Sequence, residues 1–75
     1  MSIKVLYFAR LSERVGRSES DFDFKPGLSV ADIWLIENAG RVMPENILAA
    51  IDLEYVSREV IVEDGVELAF FPPVT

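Results

Sequence analysis

An alternating apolar segment at each end of a 75-residue chain, with one well-capped helix between them, predicts an α+β fold. The two end segments are strongly apolar, which places them parallel and central in a mixed sheet. The one main helix then lies across one face of that sheet. This is a β-grasp roll of the ubiquitin type, expected to fill residues 1–75 as a single domain with a tail projecting from about residue 71.

Each element has its own signal. Ile3 to Ala9 is rich in β-branched and aromatic residues and reads as the first strand. Ile3, Val5 and Tyr7 share one face; Lys4, Leu6 and Phe8 share the other. Leu11 to Val15 makes one or two helical turns, stopped by Gly16. That short helix is expected to cover part of Leu6 and Phe8. Glu19 to Phe24 alternates, with Phe22 and Phe24 inward, and a Lys25-Pro26-Gly27 turn ends it.

The main helix has a marked start. Ser29 can cap it, Asp32 stands where a capping box places an acid, and Leu28 and Ile33 are spaced as a hydrophobic staple. It is expected to run to about Ala39, with Gly40 ending it. Val30, Ile33 and either Ile36 or Glu37 follow the core face. Trp34 and Leu35 cannot both lie there, so one extends the core edge. Val42 to Asn46 is a loop carrying Pro44, and Leu48 to Ile51 reads as a buried strand. Asp52-Leu53-Glu54 turns it into a short return strand at Tyr55-Val56. Val60 to Val62 leads to the turn dipeptide Asp64-Gly65, and Val66 to Phe71 is the last strand. Phe70 points into the core. Phe71 points to the opposite face, alongside Leu6, Phe8 and Tyr55.

Composition limits the chemistry. Thirteen acidic residues against seven basic ones give a net charge of −6, which argues against nucleic acid. It favours a partner with a positive surface, although solubility alone is enough to explain it. There is no cysteine, so neither a disulfide nor a thiolate metal site is available. There is no histidine, which removes the commonest proton shuttle near neutral pH. Glu63, Asp64 and Glu67 are the densest carboxylates, but turn and strand-end charges are usually solvated. Free-standing catalysis, a metal and a cofactor are therefore not expected. The first residues lack the pattern of a signal peptide, and no apolar run approaches the ~20 residues of a membrane span. A soluble cytoplasmic protein is expected.

The most specific segment is Phe70-Phe71-Pro72-Pro73-Val74-Thr75. Consecutive prolines lack N–H donors and hold φ near about −65°, so they cannot continue a central strand. They are expected to make a stiff arm, suited to insertion into a partner.

These residues carry a resemblance. Ile3 to Ala9, Leu48-Ala49-Ala50-Ile51, Asp64-Gly65 and Glu67 to Thr75 stand in the order and at about the spacing of landmarks in the small subunit of molybdopterin synthase. The resemblance covers essentially the whole chain. It implies a sulfur carrier whose terminal carboxylate is adenylated by an ATP-dependent activating enzyme and converted to a thiocarboxylate. The tail would then enter the large synthase subunit, which supplies the active site. The absence of cysteine agrees, because sulfur could not be held as a persulfide. By the resemblance, Tyr55, Phe71, Pro72, Pro73, Val74 and Thr75 are the partner-binding residues, and none is catalytic.

The sequence ends at Thr75, whereas the family's tails end in Gly-Gly. Two residues fewer shorten the reach by about 7 Å and leave a branched side chain at the tip. A chain ending at Thr75 is expected to bind but not to carry sulfur. The alternatives are a ubiquitin-like binding module without chemistry, or a sulfur carrier for another pathway.

Overall fold

The computed structural model describes residues 1–72. Strands β1 (Ser2–Tyr7), β2 (Glu19–Asp23), β3 (Leu48–Ile51), β4 (Glu54–Val56) and β5 (Glu67–Phe71) form one five-stranded sheet in the order β2-β1-β5-β3-β4. Helices α1 (Arg10–Val15) and α2 (Val30–Glu37) complete the elements. β1 and β5 run parallel, with Val5 opposite Leu68 and Tyr7 opposite Phe70; the other pairs are antiparallel. The end segments are thus adjacent and interior, and the fold is the mixed-sheet β-grasp expected from their apolar character.

Strand alternation decides the faces. Ile3, Val5, Tyr7, Leu68 and Phe70 point to one side and are all buried. α2 lays Val30, Ile33 and Trp34 onto them. Of the pair left open by the sequence, Trp34 enters the core and Leu35 faces solvent. The same turn geometry puts Glu37 at the core edge and leaves Ile36 exposed. The Trp34 ring meets Phe70 edge-on at 4.9 Å, and Phe70 stacks on Tyr7 at 5.6 Å. Such aromatic pairs contribute about 0.5–1.5 kcal/mol beyond area burial. They fasten α2 over the seam between β1 and β5.

Side chains close both ends of α2. Asp32 N–H donates to Ser29 Oγ at 3.2 Å, and Ser29 N–H donates to Asp32 Oδ2 at 3.0 Å. This is the expected capping box. At the other end, the Asn38 side chain donates to the Trp34 carbonyl at 2.9 Å, and Gly40 N–H reaches the Leu35 carbonyl at 2.8 Å. Ala39 there is left-handed, with φ 57°. The helix therefore stops at Glu37, two residues short of the expected Ala39, because left-handed Ala39 breaks the ladder and Gly40 N–H reaches back five residues to Leu35.

The short helix α1 serves a different face from the one expected. Ala9, with φ 53° and ψ −132°, turns the chain toward the inner side. Leu11 is buried in the core, and Val15, one turn on, packs against it. Their i, i+4 spacing commits α1 to the same side as α2. It therefore does not cover Leu6 and Phe8.

Two irregular segments seal the core. Met43 and Ile47 are buried although they lie outside any helix or strand. The Arg58 guanidinium holds that loop by donating to the Met43 carbonyl at 2.9 Å and the Pro44 carbonyl at 2.7 Å. Val30 N–H donates to the Val60 carbonyl and Val62 N–H to the Leu28 carbonyl, around a single bridge between Ser29 and Ile61. No helix among the described residues is long and apolar enough to cross a membrane.

Candidate functional site

The sheet face turned away from α1 and α2 carries no helix among the described residues. Register and pleat aim Leu6, Ala69, Ala50 and Tyr55 at this face as one row across the strands. Phe71 and Leu48, directly paired, make the next row with Phe8. The Phe8 and Phe71 rings stack at 4.9 Å with planes 5° apart, and Tyr55 meets Phe71 edge-on at 5.9 Å. Ala50 and Ala69 are small and almost fully covered, yet they lie outside the main core cluster. They form a flat floor between the larger side chains.

Exposure distinguishes this face from the core. Tyr55 is 71% exposed, Phe8 42% and Leu48 39%. Leu48 thus departs from the reading of Leu48 to Ile51 as wholly buried, because alternation sends Ala49 inward and Leu48 out. On a small protein an exposed apolar cluster of this kind is a candidate contact surface. Its border is acidic on one side: Glu19, Asp21 and Asp23 alternate outward along β2, and Lys4 pairs with Glu19 at 3.9 Å.

The structure therefore brings Tyr55 and Phe71 together, as the alternation of the strands implied. Pro72 follows directly and is half-buried. Pro73, Val74 and Thr75 lie outside the described residues. The aromatic cluster sits at the end of β5 from which the chain departs. A partner resting on Phe8 and Phe71 would be beside the C-terminal end of β5. Leu48 joins them, a residue that the pattern within its own strand does not mark. Its signal was the pairing with Phe71, which sequence spacing does not show.

A polar cluster on the inner side has a structural role. Glu37 lies in the last turn of α2, where a carboxylate opposes the helix dipole. It accepts from the Tyr7 hydroxyl at 3.0 Å and from Ser20 Oγ at 3.0 Å, and pairs with Arg17 at 3.4 Å. Burial, then the Glu37 charge and its hydrogen bond, push the Tyr7 hydroxyl up to about 12. This network links β1, β2 and α2, and nothing in strand or helix periodicity points to it. Elsewhere, the Glu67 N–H donates to Asp52 Oδ1 at 3.0 Å, so Glu67 lies at a turn clamp. Among the described residues, no group of three or more His, Cys, Asp or Glu side chains could hold a metal ion.

A β-grasp protein with a bare apolar sheet face beside its departing last strand belongs to the ubiquitin-like class. This chain belongs to the ThiS family, whose model matches residues 5–75. Family and fold together make it a ubiquitin-like protein of the sulfur-carrier type.

Solved structures agree. A proposed molybdopterin converting factor, subunit 1, from Pyrococcus furiosus is similar with a TM-score of 0.80 and 27% identity, covering 99% of each chain. SAMP1 from Haloferax volcanii is similar with a TM-score of 0.77 and 23% identity, over 100% of this chain and 98% of that one. The small archaeal modifier protein 1 of Methanosarcina acetivorans gives 0.77 and 20%, over 99% and 94%. At those two lower identities the likeness speaks for the fold alone. No curated protein matches the sequence.

Proposed function

We propose that this chain is the sulfur-carrier subunit of a molybdopterin synthase, acting in the cytoplasm as one domain over residues 1–75. In this reading the sheet face docks on the large subunit and the tail beyond Phe71 enters that subunit's active site. Tyr55 and Phe71 are the anchors, and Pro72, Pro73, Val74 and Thr75 line the path. On a tail that ends in the family's Gly-Gly, sulfur is carried as a C-terminal thiocarboxylate, formed after adenylation by an ATP-dependent activating enzyme. The partners supply the catalytic groups.

The observation that carries the reading is the Phe8–Phe71–Tyr55 cluster at the exit of the tail. It combines docking and delivery at one end of one sheet face. Membership of the ThiS family and the likeness to the Pyrococcus furiosus protein support the same direction. The chain has neither cysteine nor histidine, which agrees with a carrier whose own side chains do no sulfur chemistry.

The test is association with the large subunit of molybdopterin synthase, followed by calorimetry and by amide shifts of this chain. Binding should perturb Leu6, Phe8, Tyr55 and Phe71 together. No measurable binding, or binding through the helical side with those amides unmoved, would contradict the docking mode.

A further inference from the structure

The helical side of the molecule has a concave site that the sheet face and tail do not use. A cavity of about 240 Å³ opens between α1, α2 and the loop that follows α2. Leu11, Val15, Trp34 and Pro44 give it apolar walls, and Arg14 and Arg41 also line it. Both arginines are exposed, and neither is in a salt bridge among the described residues. Arg17, by contrast, is held by Glu37.

Backbone geometry sets where the two guanidinium groups stand. Arg14 lies in the last turn of α1, closed by left-handed Gly16. Arg41 follows Ala39 at φ 57° and Gly40 at φ 83°, and its N–H donates to the Asn38 carbonyl at 3.1 Å. In a chain of net charge −6, two arginines without a salt bridge among the described residues, beside a part-polar, part-apolar cavity lined by no carboxylate, reverse the local charge. Arginine keeps its charge at all working pH and offers a fork that matches a carboxylate.

We infer that this groove binds a peptide segment of a partner protein in which one large apolar side chain is flanked by acidic residues. Size selects the peptide over a cofactor. Small-molecule sites usually run to about 300–1,000 Å³, and this cavity is smaller, with room for one side chain. Charge selects the flanking acids, one for each guanidinium. The groove lies on the opposite side of the sheet from Phe8, Tyr55 and Phe71, so both surfaces can be occupied at once. The inference does not depend on the sulfur-carrier reading.

The experiment is an amide-shift titration of the isotope-labelled chain with a blocked peptide of one phenylalanine flanked by aspartates. Counterparts flanked by serines and by lysines are titrated in parallel. The aspartate peptide should saturate with a dissociation constant of about 1 mM or tighter, moving Leu11, Val15, Asn38 and Arg41 and changing the Trp34 fluorescence. The serine peptide should bind about ten-fold more weakly or worse, and the lysine peptide should not saturate. Arginine stems can also simply cover apolar walls. An Arg14→Gln/Arg41→Gln variant separates the two roles, since it keeps much of the stem and removes the charge. It should keep its melting temperature and lose about ten-fold in affinity or more for the aspartate peptide; Arg14→Gln alone should lose part of that. Equal binding of the serine peptide would overturn the inference. So would unchanged affinity in the double variant, shifts confined to the Phe8 and Tyr55 face, or no saturation with the aspartate peptide.

Discussion

The Tyr7 hydroxyl donates to Glu37 Oε1 at 3.0 Å across thirty residues of sequence. The bond ties the interior strand β1 to the last turn of α2. Removing the hydroxyl in Tyr7→Phe leaves the stack on Phe70 but takes away one of Glu37's donors. A loss of about 1–2 kcal/mol in urea unfolding near neutral pH is expected. The pH dependence has a definite sign. With its pKa raised from 10.0 to about 12, folded Tyr7 keeps its proton where the unfolded chain has lost it. The Tyr7 contribution is intact below pH 10 and is lost as pH rises toward about 12. The stability gap between wild type and Tyr7→Phe should therefore shrink over that window. A gap that is constant from pH 8 to about 11.5 would contradict the account.

Trp34 and Leu35 are neighbours with opposite roles. Trp34→Ala should destabilise the fold by about 3–5 kcal/mol, because its ring fills the space against Tyr7 and Phe70. Leu35→Ala should change stability by about 1 kcal/mol or less, since Leu35 is largely at the surface. Thermal melts of the two variants check the assignment. Equal losses would mean that the helix is rotated from its described orientation.

Much of this fold could be read from local pattern. The alternation of Ile3, Val5 and Tyr7, the capping box of Ser29 and Asp32, and the left-handed stop at Gly16 each depend on residues close in sequence. The outward direction of Phe71 and Tyr55 followed from the same alternation, which is why their meeting on one face was legible. What could not be read depends on contacts between distant segments. Glu37 draws donors from residues 7, 17 and 20. The face chosen by α1 turns on the φ of Ala9, and Met43 and Ile47 are buried without any periodicity. Pro73, Val74 and Thr75 are outside the described residues, so their part in the site rests on sequence alone.

The β3–β4 turn holds Asp52 at φ 47° and Leu53 at φ 74°, although Leu53 is 88% exposed. A left-handed leucine is strained, and this one recovers little by burial. Asp52 is anchored by its bonds to Glu67. Leu53→Gly keeps that anchor and makes the Asp-Gly pair favoured in such turns. A gain of about 0.5–1 kcal/mol is expected in denaturant unfolding. A loss of stability would show that Leu53 makes a contact beyond those described.

Phe71→Ala and Tyr55→Ala test the sheet face. Each should weaken binding to the large subunit of molybdopterin synthase by about 2 kcal/mol or more, as anchors at an interface do. Neither residue belongs to the buried core, so circular dichroism should remain native. Loss of the fold, with unchanged binding by the remaining folded fraction, would reverse the assignment of faces.

The central claim is that this protein carries sulfur on its C-terminal carboxylate. The direct measurement is the intact mass of the chain extended by Gly-Gly after Thr75, incubated with the activating enzyme, ATP and a sulfur donor. The account predicts replacement of one carboxylate oxygen by sulfur in that form. If the extended chain stays unmodified while a known carrier is thiolated in the same mixture, the sulfur-carrier reading is contradicted.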